Sequence, residues 1–186
     1  MLTRESLWLI FDELNYYARI VAVFSRLVPP YPIGSVDKKW FKYRLILLVD
    51  FGCRDRWICN KAVKTGSLKC LKYARDHGCS WDTDTSAWAA QTGSLACLEY
   101  AHKHGCPWDR WTCTYAAGHG SLECLEYAHE HGCPWDEWTC TYAANAGSLK
   151  CLKYAHEHGC PWDKLTRTYA LTEACLDYAI FNGCPQ

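Results

Sequence analysis

Histidine and cysteine recur in the 186-residue sequence as His-x-His-Gly-Cys, at His102, His104 and Cys106, at His129, His131 and Cys133, and at His156, His158 and Cys160. Two imidazoles and a thiol are the donor types that hold zinc, with nitrogens at about 2.0–2.1 Å and sulfurs at about 2.3 Å. The spacing argues against convergence. Residues two apart on a helix point to different sides, and copies on stacked helices sit about 8–10 Å apart. The imidazoles are instead expected to hydrogen-bond the last carbonyls of a helix and to favour its dipole. No metal and no cofactor is expected, although 14 cysteines and 8 histidines keep a zinc- or thiol-dependent protein as the alternative. There is no Gly-rich phosphate loop, no nucleophile motif and no carboxylate pair outside the repeat pattern, so no catalytic residue is assigned and the chain is not read as an enzyme.

Most of the cysteines keep register. Cys70, Cys97, Cys124 and Cys151 occupy one position, and Cys79, Cys106, Cys133 and Cys160 another. Equivalent positions on neighbouring helices are about 8–10 Å apart, beyond the 4.4–6.8 Å or so between Cα atoms that a disulfide spans. Free, buried thiols acting as small hydrophobes are expected, and with them a reducing, intracellular compartment such as the cytoplasm.

The register is that of a repeat. Gly-Ser-Leu begins at Gly66, Gly93, Gly120 and Gly147, and each difference (93−66, 120−93, 147−120) is 27 residues. A fixed period of this size marks a solenoid, in which no unit can bury its apolar face alone. Within residues 119–145, Ser121 is a plausible N-cap and Leu122, Cys124, Leu125 and Ala128 follow at helical spacing. Gly132 closes that helix and Pro134 stops continuation. Asp136 caps the next helix, which holds Trp138, Cys140, Ala143 and Ala144. First helices are expected near Asp55, Asp82, Asp109, Asp136 and Asp163, and second helices near Ser67, Ser94, Ser121, Ser148 and Thr172. The spacing therefore predicts an all-α solenoid of antiparallel helix pairs.

Four segments follow in order. Residues 1–34 are an N-terminal helical cap with the apolar stripe Leu7, Ile10, Phe11, Leu14, Tyr17, Val21, Phe24 and Val28, followed by a Pro-rich connector that cannot sit inside a helix. Residues 35–53 are a degenerate half-unit, residues 54–163 the regular repeats, and residues 164–186 a worn C-terminal capping repeat, as terminal units of a solenoid are expected to be atypical. Charged residues Arg4, Glu5, Asp12 and Glu13 break the only early apolar stretch, so neither a signal peptide nor a membrane span is expected. Twenty basic against twenty acidic residues leave zero formal charge. With no Lys/Arg run, nucleic acid and anionic membranes are not expected as partners.

Two further patterns call for packing roles. Trp81, Trp108, Trp135 and Trp162 form a ladder at one loop position, expected to fill space with the indole N–H finding a partner. The second helices alternate in charge, with Lys69 and Lys72, then Glu99, then Glu123 and Glu126, then Lys150 and Lys153, which predicts ion pairs between units, each worth about 0–1 kcal/mol.

At the level of these residues the unit resembles an ankyrin repeat over about residues 45–184. Ala116-Ala117-Gly118-His119-Gly120-Ser121-Leu122-Glu123-Cys124-Leu125 is similar to the family's Ala-Ala-x-x-Gly-His-Leu-Glu-Val-Val, and Gly132-Cys133-Pro134-Trp135-Asp136 stands where it has Gly-Ala-Asp-Val-Asn. The period is 27 rather than 33, so the resemblance implies shortened or absent β-hairpin fingers. Such Gly-Cys-Pro-Trp-Asp units resemble those of large DNA viruses of amoebae and some protists, which would place a viral copy in the host cell. The family implies a non-enzymatic protein–protein interaction module with a concave binding face. The framework repeats while the start of the first helix varies, so the expected partner-binding residues are Arg56, Trp57, Asp84, Arg110, Trp111, Glu137, Trp138 and Lys164. Arg110, Trp111, Glu137 and Trp138 are the expected centre, and Lys64, Gln91, Gly118 and Asn145, read as inter-helix loop, the rim. Trp57, Trp111 and Trp138 serve equally well as packing between units. Residues 2–14 resemble the start of an F-box, which docks a ubiquitin-ligase adaptor, although the usual proline after the first leucine is absent. A simple amphipathic cap explains the same stripe.

Overall fold

The structure, a computed structural model, describes residues 56–186, with side chains from residue 58. The chain divides into compact units Met1–Asp37 and Lys38–Gln186, and every described residue lies in the second. The N-terminal cap with its F-box-like stretch, the Pro-rich connector, the half-unit at 35–53, and the side chains of Arg56 and Trp57 lie outside the described residues.

The described residues form an all-α repeat solenoid of ten helices, with no strand among them. First helices are α1 (Arg56–Lys64), α3 (Thr83–Gln91), α5 (Arg110–His119), α7 (Glu137–Asn145) and α9 (Lys164–Thr168). Second helices are α2 (Leu68–Asp76), α4 (Leu95–Lys103), α6 (Leu122–Glu130), α8 (Leu149–Glu157) and α10 (Glu173–Phe181). Each is nine or ten residues long except α9, which has five. Helices this short are marginal in isolation, so packing has to hold them.

The N-caps explain the boundaries. Asp109, Asp136 and Asp163 each accept a hydrogen bond from the backbone N–H two residues on, and Asp82 makes a reciprocal capping box with Thr85. Ser67 and Thr172 cap α2 and α10 through their hydroxyls. Ser94, Ser121 and Ser148 depart from expectation and make no side-chain cap bond. Their hydroxyls face the thiols of Cys97, Cys124 and Cys151 instead, where they draw the thiol pKa down against burial. At the other end Gly132 takes φ +80°, and Cys133 N–H reaches back to the Ala128 carbonyl at 2.9 Å. A left-handed residue there releases the chain from the helix while its last carbonyls stay bonded.

Packing is asymmetric. Successive first helices lie close along the whole array, whereas successive second helices touch less, so the first helices form the inner row. Residue size is the cause: Ala89, Ala90, Ala116, Ala117, Ala143 and Ala144 are fully buried in the inner row and let the axes approach. The outer row is filled by Leu71, Leu98, Leu125 and Leu152, all fully buried. Burying one leucine side chain is worth about 1.5–3 kcal/mol.

Buried threonines join the inner row. The hydroxyls of Thr114 and Thr139 are 3.4 Å apart, and those of Thr141 and Thr166 are 3.2 Å apart. Ala87 breaks the series one unit earlier, and the hydroxyl of Thr112, which would face it, is buried without a hydrogen-bond partner among the described residues. The charge doublets of the second helices form no ion pairs with one another among the described residues; Glu99 pairs with Lys103 on its own helix at 2.7 Å. Lys72 and Lys153 lie over the rings of Tyr100 and Tyr178 in the next unit, at 5.4 and 5.5 Å from the centroids. At exposed sites the two arrangements are of similar worth, about 0.5–1 kcal/mol for a cation over a ring and about 0–1 kcal/mol for an ion pair.

Candidate interaction face

The histidine motif resolves into two structural roles. The second histidine of each pair bonds through Nδ1 to its own helix, His104 to the Tyr100 carbonyl, His131 to Tyr127 and His158 to Tyr154, each at 2.8 Å. Asn182 takes that role in the last unit by donating to the Tyr178 carbonyl at 2.8 Å. The first histidine departs from the sequence reading. His102, His129 and His156 reach the next unit's hydroxyl, Tyr127, Tyr154 or Tyr178, at 3.0–3.1 Å. Their rings lie flat on Trp108, Trp135 and Trp162, with centroids 3.8–3.9 Å apart. Arg75 stands at this position in the first described unit and stacks 4.1 Å over Trp81. Each tryptophan also meets the next unit's tyrosine edge-on, so the ladder is half-buried packing, as expected. The expected indole N–H bonds are not formed among the described residues; stacking on a neighbour leaves one ring edge toward solvent.

Neither histidine points at a common centre, and among the described residues no group of three or more His, Cys, Asp or Glu could hold a metal ion. The 13 described cysteines are buried, and no disulfide joins them. Burial pushes Cys59 up to about 12 and Cys106 up to about 11, so these thiols stay protonated and are poor nucleophiles. Loop thiols Cys106, Cys133, Cys160 and Cys184 donate to the carbonyls of the capping residues Asp82, Asp109, Asp136 and Asp163, at 3.1–3.3 Å.

The inner row carries the expected site residues. Asp84, Arg110, Glu137 and Lys164 are exposed at the starts of α3, α5, α7 and α9, and Trp111 and Trp138 are half-buried. Two units are tied together here. Arg110 bridges to Asp136 at 3.2 Å, and the other carboxylate oxygen of Asp136 caps α7 at the Trp138 N–H, 3.1 Å away. The Arg110 guanidinium also lies 5.5 Å from the Trp111 ring centroid. One N-cap thus fixes the spacing of Arg110, Trp111 and Trp138.

A ring ladder, missed in the sequence reading, runs behind these residues. Trp88, Tyr115 and Tyr142 occupy one position in successive first helices, with centroids 6.2 and 6.3 Å apart. Trp111 and Trp138 join it four residues upstream, at 5.7 Å from Tyr115 and 6.4 Å from Tyr142. Recurrence of an aromatic residue at 88, 115, 142 and 169 was the available signal. The amino group of Lys64 sits 3.3 Å above the Trp88 ring, and burial lowers its pKa.

Gln91, Gly118 and Asn145, expected in a loop, lie in the last turns of α3, α5 and α7. With Tyr115, His119 and Tyr142 they line an open recess of about 240 Å³. Gly118 makes the recess possible, because a Cβ there would sit 2.9 Å from the Tyr142 ring. No helix among the described residues is long and apolar enough to cross a membrane.

No protein-family model matches the chain, and no curated protein does. Among solved structures it is similar to the pentatricopeptide repeat protein PPR10 in complex with an 18-nucleotide psaJ RNA element, at 15% identity and a TM-score of 0.44. The same figures hold for a triple cysteine-to-serine form of that protein with the same RNA element. The alignment covers 94% of this chain and 28% of each of those chains. The exclusion of nucleic acid is corrected by this finding.

Proposed function

We propose that the chain is a non-enzymatic binding module whose inner row of first helices holds a protein partner. The observation that carries this reading is the continuous face of half-buried rings, Trp111, Tyr115, Tyr142 and Trp138, edged by Arg110, Glu137 and the Gly118 recess. Tryptophan and arginine dominate interface hot spots, each worth about 2 kcal/mol or more on truncation. Exposed Asp84, Arg110, Glu137 and Lys164 give this face charges of both signs, to which a protein surface can be complementary. The ankyrin-like unit and its compact Gly-Cys-Pro-Trp-Asp form agree with this reading, and the reduced thiols agree with an intracellular one.

The test is affinity capture from the native cell with and without nuclease, read by mass spectrometry, comparing the wild type with the Trp111→Ala, Trp138→Ala double variant. One protein captured by the wild type and lost in the double variant is expected, with the circular-dichroism melt moved by only a few degrees. Capture abolished by nuclease would replace the protein partner with a nucleic acid. A collapsed melt would assign the two rings to the core.

A further inference from the structure

Three units hold a pair of thiols that the repeat pattern of single positions conceals. Cys59 and Cys113 in the first helices lie against Cys79 and Cys133, the loop cysteines twenty positions later in the same unit, and Cys140 and Cys160 hold the same two positions one unit on. The Cys59 thiol is 3.7 Å from the Cys79 carbonyl oxygen, and the Cys113 thiol is 3.9 Å from that of Cys133. The second unit shows where the side-chain heads meet, because Ser86 replaces the first-helix cysteine and its hydroxyl lies 3.2 Å from the Cys106 sulfur. In the last unit Arg167 occupies the first-helix position, leaving Cys184 without a companion thiol. Among the thiols of the second helices, Cys97, Cys124 and Cys151 face serine hydroxyls.

We propose that Cys59–Cys79, Cys113–Cys133 and Cys140–Cys160 are sites of reversible oxidation to intra-unit disulfides by a small-molecule disulfide such as glutathione disulfide. The Cys59 and Cys113 thiols already reach the backbone of their partner cysteines, and the Ser86 hydroxyl reaches the Cys106 sulfur at the equivalent place, whereas equivalent cysteines of different units are a helix spacing apart. The reaction balances in two exchanges. One thiol of the pair, as its thiolate, attacks the glutathione disulfide, forming a mixed disulfide and expelling one glutathione thiolate. The second thiol then attacks the protein sulfur and expels the other glutathione. Each cysteine pair gives up two electrons, the glutathione disulfide takes them, and the two thiol protons end on the two glutathiones. The neighbouring thiol and burial push the pKa of Cys113 and Cys140 strongly upward, which makes the exchange slow and dependent on local opening without altering which thiols are adjacent.

The full chain is equilibrated with excess glutathione disulfide, quenched in acid, alkylated, digested and mapped by mass spectrometry, with helicity followed by circular dichroism. Linkages 59–79, 113–133 and 140–160 are expected, with Cys106 and Cys184 in no protein disulfide. Cys113→Ser, which copies the Ser86 of the second unit, should lose only the 113–133 linkage, and Ser86→Cys should add one to Cys106. Thiols that all remain alkylatable, single glutathione adducts alone, linkages between units, or linkages formed only once helicity is lost would each overturn the proposal.

Discussion

An imidazole lying flat on an indole and bonded to the next unit's phenol recurs at three interfaces between units. Burial, with His131 or His158 nearby, holds His102 and His129 below the usual histidine pKa. The unfolded chain, at about 6.5 for each, therefore binds protons before the folded one does. Stability is full above that value and falls as pH drops through the folded values. Urea midpoints measured from neutral to mildly acidic pH should decline accordingly, and a flat profile would show that stacking on tryptophan compensates the cation. Thr112 offers an independent test at the same scale. Its buried hydroxyl has no partner because Ala87 stands where the other units place a hydrogen-bonding group, so Thr112→Val should stabilise by about 1 kcal/mol. Thr139→Val, which removes the bond to Thr114, should destabilise by about 0.5–1.5 kcal/mol. Equal effects of the two substitutions would show that burial of the methyl group, not the hydroxyl, decides.

Among the elements, the second helix is the one whose orientation is most directly checked. Leu125 is fully buried on α6 and Glu123 is exposed on it. Leu125→Ala should cost about 2–5 kcal/mol and Glu123→Ala less than about 0.5 kcal/mol; equal thermal midpoints would reverse the assigned face. This orientation was legible in the sequence, since Leu122, Leu125 and Ala128 mark one side and Gly132 marks the end. Aspartate caps were legible too, because Asp before a helical run has few other roles. Ser94, Ser121 and Ser148 were not, because Ser67 and Thr172, which also have a cysteine three residues on, do cap their helices, so the local pattern does not separate the two outcomes. What lies between units was illegible for a general reason. Local periodicity fixes each helix, but the register of one unit on the next is set by packing, and the His102–Tyr127 bond, the Arg110–Asp136 bridge and the lysines over tyrosine rings all depend on that register.

In the molecule as a whole, interior interfaces reuse the same partners, since His102, His129 and His156 each find a tyrosine in the unit that follows. Among the described residues α9, with five residues, and the exposed Tyr169, Leu171, Ile180 and Phe181 mark a different end. Excising residues 109–135 removes one period and sets His102 against Tyr154 in the place of Tyr127. The shortened chain should fold cooperatively with a lower melting midpoint, as nearest-neighbour stability requires; loss of the helical signal would mean that the third unit is needed to nucleate the others. The small-residue contacts of the inner row carry a consequence for reach. Each unit advances the ring ladder by 6.2–6.3 Å between centroids, which an extended polypeptide covers in about two residues at roughly 3.3 Å apiece. A strand lying along this row would meet an aromatic rung at every second side chain, so the motif it presents would be written on one face of the strand, and its length would be counted in whole units.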